Sequence, residues 1–400
     1  MIGAGFTGLA CARRLGELHP DDDVLLLDAR EVGQGASGRN SGFAVATSHF
    51  SGGVDGRRLD NCRRINRINR AGLAQLEAVI ARHTIDCQWR REGFFHTAAD
   101  RAAMRECVHF VRYLEALEVE HENLDADELH ARLGTRLYQA GVRVADGALV
   151  QPAALVRGLA DTLPANVALY ERSPVLDIVN GNPVSLHLPD AEVTADKVIV
   201  ATNYEAPRLG LLKASLTGST LAGSYTRRLT GQELDSLGSL DEWGVLSLHS
   251  GGATVRLTND GRVSIRNTAE YHGARLLSDA ALERRQSVHR AAFERRFPQL
   301  AHVPFECAWS GVEGISRNGT NFFGRHGDGI FFAGGYNGSG VTRGTAFGAA
   351  IGDYASGETT TLVSDCLASP RAARIPPRPL LDIGAYFLVR ARFRGVGLDR

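Results

Sequence analysis

The chain has 400 residues, 44% of them hydrophobic, and its 45 basic and 45 acidic side chains cancel. This length suits two domains with a large core, and the balanced charge does not point to nucleic acid or an anionic membrane as a partner. No apolar run reaches the roughly 18 residues of a membrane span. The 6 cysteines lack the spacing of a disulfide framework or metal site, which favours reduced thiols in a cytoplasmic protein.

A glycine-rich turn opens the chain, with Gly3, Gly5 and Gly8 spaced as G-x-G-x-x-G. A helical pattern over 6–18 and an apolar strand ending at Asp28 follow it. Such a turn binds a pyrophosphate at the helix N-terminus, and an acidic residue about 20 residues further on can bind a ribose hydroxyl. The sequence therefore predicts a dinucleotide site in a doubly wound α/β domain.

The strand before this turn is short, because only Met1 and Ile2 precede Gly3. A strand is typically about five or six residues long. Either the first strand is abbreviated or the recorded start lies inside a longer reading frame, and the sequence favours the second interpretation.

The next part of the chain passes from the first domain into a second one and back. Apolar spacing and capping signals predict a helix at about 59–83, a strand at 87–96 and two helices at 102–117 and 125–133. A further helix at 153–163 returns to the first domain. Strands are then expected at 167–170, 175–178 and 197–203.

From about residue 204 the pattern is antiparallel. Strands are expected at 223–229, 244–248, 254–257 and 263–266, with a hairpin turn at 259–261 and a helix at 279–297. A buried strand at 330–333 then leads into a second glycine-rich turn at 334–342 and a helix that ends near Tyr354. The apolar and arginine-rich tail from Leu381 is expected to pack on the parent domain, with contact to a membrane surface as the alternative.

The chain resembles the flavin-dependent amine and D-amino-acid oxidase family, and most closely its gamma-glutamylputrescine oxidase-like and sarcosine oxidase-like members. The resemblance rests on five segments in order, GAGFTGLA, GASGRNSGF, GALVQPAALVRGLA, VIVATN and FFAGGYNGSGVTRG. It implies a Rossmann-like FAD-binding domain of the glutathione-reductase type with a discontinuous antiparallel-sheet substrate domain. The FAD-binding parts are placed at 1–86, 148–205 and 306–375, the substrate parts at 87–147 and 206–305, and a C-terminal tail at 376–400.

The resemblance also implies FAD as the cofactor and assigns its contacts. The ADP half, the diphosphate, the adenine and the flavin ring would be held by Gly3, Gly5, Gly8, Asp28, Ser37, Gly38, Arg39, Asn40, Val175, Ala201, Thr202, Gly335, Tyr336, Asn337, Gly338, Gly340, Val341 and Thr342.

The reaction implied is hydride transfer from the carbon beside an amine nitrogen to flavin N5. The resulting imine would be hydrolysed, and oxygen would be reduced to hydrogen peroxide. A dehydrogenase that passes electrons to a quinone or carrier protein is one alternative, and a flavin-binding subunit without turnover is another. The identity of the amine and the oligomeric state stay open.

Some residues depart from the family pattern. Ser339 stands where relatives often have a histidine, and the strands 255–265 lack the lysine that some relatives use to activate oxygen. Thr47 and Thr342 replace two basic residues that bind a substrate carboxylate, so a neutral or cationic amine is expected. His49, Phe50 and Tyr336 are candidates for the pocket wall, and His49 and Tyr336 are the catalytic candidates.

Cys307 is a candidate for a covalent bond to the flavin, because it lies two residues before an aromatic residue, as the flavin-linked cysteine does in sarcosine oxidase-like relatives. A thiol needs a lowered pKa for such chemistry. Arg317 and Arg343 are the nearby positive charges in sequence. A buried, unreactive cysteine is the alternative interpretation.

Overall fold

The computed structural model describes residues 1–50, 56–249 and 251–400. Its α-helices are α1 (Phe6–Leu18), α2 (Ala36–Arg39), α3 (Gly56–His83), α4 (Arg101–Ala116), α5 (Ala126–Leu133), α6 (Pro152–Asp161), α7 (Gly231–Asp235), α8 (Asp279–Arg296), α9 (Gly340–Ala355), α10 (Thr361–Leu367) and α11 (Leu380–Arg394).

The strands belong to one mainly parallel sheet, one large mixed sheet and smaller antiparallel pieces. They are β1 (Val24–Leu27), β2 (Phe43–Val45), β3 (Phe94–Ala98), β4 (His121–Asp125), β5 (Ala140–Val144), β6 (Gly147–Leu149), β7 (Val167–Tyr170), β8 (Asp177–Val179), β9 (Val184–His187), β10 (Glu192–Ala195), β11 (Val198–Val200), β12 (Leu216–Thr226), β13 (Trp243–Ser247), β14 (Thr254–Leu257), β15 (Val263–Glu270), β16 (Phe305–Ser316), β17 (Phe322–His326) and β18 (Ile330–Gly334).

The parallel sheet carries the first glycine-rich turn. Its order is β7, β1, Ile2, β11, β18 and β17, and only β17 runs antiparallel to its neighbour. The N–H of Ile2 donates to the carbonyl of Ile199 at 2.9 Å, and the N–H of Gly3 donates to the carbonyl of Leu27 at 2.8 Å. The turn therefore leaves the sheet at its centre, where doubly wound folds bind ligands.

Helices α1 and α9 pack against this sheet, and α3 packs on α9. A buried apolar cluster around Leu9, Leu26, Phe347 and Ile351 fills the space between these elements. The α1–α9 contact is close because α9 presents glycine there. A β-carbon at Gly348 would lie 2.2 Å from the backbone oxygen of Thr7. This contact fixes the second glycine-rich turn, which precedes α9, beside the first.

The large sheet has eight strands in the order β16, β12, β15, β14, β13, β3, β5 and β4. All neighbours are antiparallel except β13 and β3, which are parallel. The predicted hairpin turn at 259–261 is confirmed between β14 and β15, and the predicted capping box of Asp125 and Glu128 is confirmed at α5. The large sheet has a buried core of its own, to which helices α5 and α8 contribute.

The bounds of several elements differ from those expected. The strand expected at 87–96 begins only at Phe94, because Gln88 and Gly93 have φ values of 54° and 70°, which interrupt an extended backbone. Strand β12 begins at Leu216 rather than 223, and β16 continues in the large sheet to Ser316 although 306–375 was assigned to the FAD-binding part.

The tail is helical and packs with one side only, and this side contacts β15 of the large sheet rather than the parent domain on which it was expected. In α11, Leu381, Ala385, Val389 and Phe393 are half-buried, whereas other large apolar side chains are exposed. Throughout the described residues, no helix is long and apolar enough to cross a membrane.

Candidate active site

The first glycine-rich turn brings the start of α1 against the end of the sheet. Gly3 has a φ of +99°, and a β-carbon at Gly8 would lie 1.7 Å from the carbonyl oxygen of Gly3. No side chain fits at that distance, so the close packing of turn and helix depends on glycine. The N-terminal amides of α1, near its positive end, are therefore held above the sheet edge, where a diphosphate binds.

Asp28 and Ser37 brace this turn from the two segments that follow it. Oδ2 of Asp28 accepts from the N–H of Ala4 at 2.7 Å, and Oδ1 accepts from the N–H of Arg30 at 2.8 Å. Burial raises the pKa of the Asp28 carboxyl, and these two N–H groups oppose that shift. Oγ of Ser37 accepts from the N–H of Phe6 at 3.0 Å, which ties the segment GASGRNSGF to the turn.

Two buried hydroxyls indicate that the space between these segments suits a polar ligand. The hydroxyl of Thr202 has no hydrogen-bond partner among the described residues, and a β-carbon at Gly3 would lie 3.3 Å from its methyl group. The Thr47 hydroxyl, at the end of β2, is also without a partner in the described part of the chain. Buried polar atoms are normally paired, so these hydroxyls fit a bound cofactor with oxygen and nitrogen atoms.

The second glycine-rich turn is tied to both sheets by two asparagines. Oδ1 of Asn203, just after β11, accepts from the N–H of Gly335 at 2.9 Å. Asn337 donates its N–H to the carbonyl of Gly314 at 3.1 Å, and its Oδ1 accepts from the N–H of Ser316 at 2.9 Å. The end of β16 therefore lies against this turn, so the large sheet forms one wall of the site.

A charged cluster surrounds Gly338 at this junction. A β-carbon at Gly338 would lie 3.2 Å from Oε2 of Glu313 and 3.5 Å from Nε2 of His49. The same His49 nitrogen lies 2.9 Å from Oγ of Ser339. His49 is exposed, Glu313 is half-buried and Ser339 is buried. A carboxylate and an imidazole thus meet where the two domains join.

Aromatic side chains form the wall beside His49. Phe50 packs against Phe110 and Tyr113 with ring centroids 5.8 and 5.2 Å apart, and His96 lies 4.5 Å from the Phe110 ring. Burial, with a smaller contribution from the charge on His49, lowers the pKa of His96 to about 3. His96 is therefore neutral at pH 7 and extends the apolar wall.

Several predicted contact residues use their side chains within the protein. The Tyr336 ring packs on Phe347, and its hydroxyl lies 2.7 Å from that of Thr7. Tyr336 therefore points into the helical core, away from His49, and we do not retain it as a catalytic or wall residue. Asn40 donates within its own loop to the carbonyls of Ala36 and Ser37.

Arg39 and Thr342 are also engaged by neighbouring segments. The guanidinium of Arg39 donates to the carbonyls of Gln34 and Ser310, at 2.9 and 3.2 Å. The Thr342 hydroxyl donates to the carbonyl of Val45 at 2.7 Å. These side chains hold the loops in place, so cofactor contacts at their positions would come from the backbone.

The remaining residues predicted to contact the cofactor lie at the ends of strands or at the start of a helix. Val175 packs against the apolar cluster that contains Ile2 and Leu27, at the end of β1, and Ala201 follows β11 directly. Gly5 lies against the Ser37 side chain, and Gly340 and Val341 begin α9. Their contacts with a cofactor stay a prediction.

Cys307 lies in a different place from this cluster. It lines a groove of about 430 Å³ together with Gln88, Tyr225 and Arg256, and no residue of the His49 cluster lines that groove. Burial raises the pKa of the Cys307 thiol, and Arg262 opposes the shift. Arg317 bonds to the carbonyl of Arg374, and Arg343 to Asn69. A covalent link to the flavin stays a prediction, but the Cys307 thiol lacks the lowered pKa that such a link requires.

Glu313 and Asn203 contribute to the site without having been predicted, and Arg343 was expected only as a positive charge near Cys307. Arg343 is buried and donates to the carbonyl of Tyr336 at 3.3 Å, and burial lowers its pKa to about 10. One sequence signal does exist for Glu313, since it is the only polar residue in the stretch 311–315 of the sequence.

Comparison with known proteins agrees with this geometry. The family model described as FAD dependent oxidoreductase matches residues 1–354. Gamma-glutamylputrescine oxidoreductase of Escherichia coli is 29% identical over 361 residues, which cover 86% of this chain and 79% of that protein.

Solved structures show the same fold. Glycine oxidase from Geobacillus kaustophilus has a TM-score of 0.76 at 19% identity and covers 90% of this chain and 94% of its own. L-proline dehydrogenase from P. horikoshii has a TM-score of 0.72 at 16% identity, with 90% and 93% covered. The predicted fold class is thus confirmed. The chain belongs to the FAD-dependent oxidoreductase family, and FAD is its cofactor.

Proposed function

We propose that this oxidoreductase oxidises the C–N bond of a primary or secondary amine of the polyamine or gamma-glutamylated type. The observation that carries the proposal is the Glu313 carboxylate, which faces Gly338 together with His49. A half-buried carboxylate binds an ammonium group well and repels a carboxylate. The similarity to gamma-glutamylputrescine oxidoreductase supports the same class of substrate.

Each residue of the cluster has a defined task in this proposal. The Glu313 carboxylate binds a cationic nitrogen of the substrate, and Nε2 of His49 accepts the proton that the reacting nitrogen must lose. The rings of Phe50 and Phe110 limit access of water on that side. Bound FAD supplies the acceptor for the hydride that leaves the carbon beside the nitrogen. The imine so formed is hydrolysed by water.

The same geometry disfavours small N-methyl amino acids such as sarcosine. Thr47 and Thr342 stand at the positions that a basic pair would need, and neither carries a charge. A carboxylate buried there without a cation would cost several kcal/mol. Glu313 adds repulsion, so amino acids whose carboxylate lies close to the nitrogen are expected to be poor substrates.

We propose oxygen as the electron acceptor, reduced to hydrogen peroxide, with a quinone or carrier protein as the alternative. The strands 255–265 contain no lysine, which keeps the dehydrogenase alternative open. We also propose a cytoplasmic location, since all six cysteines are free thiols and five of them are buried.

The experiment is an anaerobic bleaching screen of the purified yellow protein. Putrescine, gamma-glutamylputrescine, sarcosine and D-alanine are each mixed with the enzyme, and the flavin absorbance band is followed. We expect rapid bleaching by the first two and slow or no bleaching by the last two. Air is then admitted, and peroxide is measured.

The outcomes separate the alternatives. Rapid return of colour with one peroxide per turnover supports an oxidase, whereas bleaching with slow recovery in air supports the dehydrogenase. Bleaching by sarcosine as fast as by the diamines would contradict the assignment of Glu313. Bound FAD that no amine bleaches would instead indicate a flavin-binding subunit without turnover.

A further inference from the structure

Helix α11 is apolar on two opposite sides. One side, with Leu381, Ala385, Val389 and Phe393 spaced four residues apart, is half-buried against the protein. On the other side the exposed fractions are 61% for Leu380, 63% for Phe387 and 73% for Leu388, and Ile383 is exposed as well. A helix that is apolar all round normally has a partner on each side, and the outer side of α11 has none among the described residues.

The helix is held with this outer side facing away from the protein. Before it, the N–H of Ile375 donates to the carbonyl of Ala214 at 2.8 Å. After it, the buried carboxylate of Asp399 pairs with the buried guanidinium of Arg296 at 2.6 Å and accepts from the Ser247 hydroxyl. With both ends fixed, α11 cannot readily turn its apolar outer side inward.

The charge around this outer side is strongly positive. The stretch 371–394 has six arginines and one acidic residue, Asp382, which lies 3.4 Å from the Arg378 guanidinium. Arg390 and Arg394 are exposed, and because each lies seven residues after Ile383 or Phe387, helical spacing places both on the same side of the helix, at the C-terminal end of that apolar surface. Apolar side chains bordered by arginines are typical of a helix that lies in a lipid–water interface.

We propose that the outer side of α11 binds the surface of an anionic lipid bilayer, with its apolar side chains among the acyl chains and Arg390 and Arg394 at the headgroups. A second copy of the chain fits less well, because it would add a second set of arginines to a surface whose stretch 371–394 has only one acidic residue, Asp382. Binding does not depend on the proposed amine oxidation. It would give the dehydrogenase alternative access to a lipid-soluble acceptor.

The test is co-sedimentation of the FAD-loaded protein with vesicles. One set of vesicles is phosphatidylcholine alone, and the other contains phosphatidylglycerol. We expect the protein to pellet with the anionic vesicles, and added salt should weaken this binding. The variant Phe387→Ser with Leu388→Ser should lose binding. Arg390→Gln with Arg394→Gln should lower the partition coefficient about 30-fold.

A matched control and a second measurement make the test decisive. Leu176 is also apolar and exposed but lies in the parallel-sheet domain, so Leu176→Ser should bind as the wild type does. Retained FAD shows that each variant is folded. Wild-type protein that stays in the supernatant with anionic vesicles would overturn the proposal. So would a dimer, seen by light scattering, that the Phe387 and Leu388 variant dissociates.

Discussion

The two halves of the active site are built in different ways. The cofactor half, formed by the turns around Gly3 and Gly335, consists of backbone held in close contact, and side chains such as Asn337 serve mainly as braces. The proposed amine half consists of three side chains, those of His49, Glu313 and Ser339, from segments far apart in the chain.

This difference predicts separate consequences for substitutions. A change in the cofactor half should remove FAD whatever the substrate. A change in the amine half should leave the protein yellow and alter only its reaction with amines. The following variants test this separation, from the largest expected effect to the smallest.

The largest effect is expected for Gly8→Ala. The new methyl group would lie 1.7 Å from the Gly3 carbonyl oxygen, so α1 must move off the turn. We expect protein without bound FAD after purification, measured by absorbance. Gly35→Ala is the control in the neighbouring loop, because a β-carbon there meets nothing within 4 Å, and it should retain FAD. A yellow Gly8→Ala protein would show that the turn does not bind the diphosphate.

Asp28→Ala should weaken FAD binding by about 1.5–3 kcal/mol, through the loss of a charged acceptor. It removes the bond to Ala4 as well as the proposed contact to the ribose. Titration of the apoprotein with FAD measures the change. Asp23→Ala, at the exposed other end of the same strand, should bind FAD normally. Equal affinities in both variants would count against a role for Asp28.

Acid should loosen the packing of α8 on the large sheet, because the buried His289 of this helix lies 2.8 Å from the Ser224 hydroxyl of β12. Burial lowers the pKa of His289 to about 4, below the ordinary value of 6.5. Its contribution to stability is therefore present above pH 6.5 and is lost as the pH falls towards 4, at about 1.4 kcal/mol per pH unit for one proton.

Denaturant unfolding at pH 7 and pH 5 measures this effect. His289→Gln should remove about half of the pH dependence, because buried His96 keeps its own contribution, whereas His326→Gln, at an exposed position, should leave it unchanged. The same pH dependence in the wild type and in His289→Gln would show that another group is responsible.

The smallest effect is expected for Ser339→Ala, which removes the hydroxyl that holds Nε2 of His49. One neutral hydrogen bond corresponds to a loss of about 0.5–1.5 kcal/mol, so kcat/KM should fall a few-fold with FAD retained. Ser356→Ala is matched, since its hydroxyl lies 2.7 Å from Nε2 of His19 at the other end of α9. Similar kinetics in both variants would argue against positioning of His49 by Ser339.

The cofactor half could be predicted from sequence because backbone proximity requires glycine at fixed spacing. Gly3, Gly5 and Gly8 meet that requirement within a few residues of one another. The family assignment and the FAD cofactor, both confirmed, follow from such local patterns.

The amine half could not be predicted in the same way. Glu313 meets His49 and Ser339 only because Asn337 ties β16 to the second turn, and this contact joins positions far apart in sequence. The direction of the Tyr336 side chain could likewise not be predicted from the sequence, since irregular turns lack the side-chain periodicity of helices and strands. The sequence of α11 does not indicate which of its two apolar sides is exposed, whereas in the structure one side is half-buried and the other is not.

The most direct test of the account compares Glu313→Gln with Glu306→Gln, the same change at the exposed start of the same strand. Both proteins are mixed anaerobically with increasing putrescine, and the bleaching rate of the flavin band gives the apparent dissociation constant of the amine. We expect Glu313→Gln to keep its FAD and to raise this constant about 10- to 100-fold, while Glu306→Gln matches the wild type. Unchanged amine binding in Glu313→Gln, with FAD retained, would contradict the assignment of the amine half.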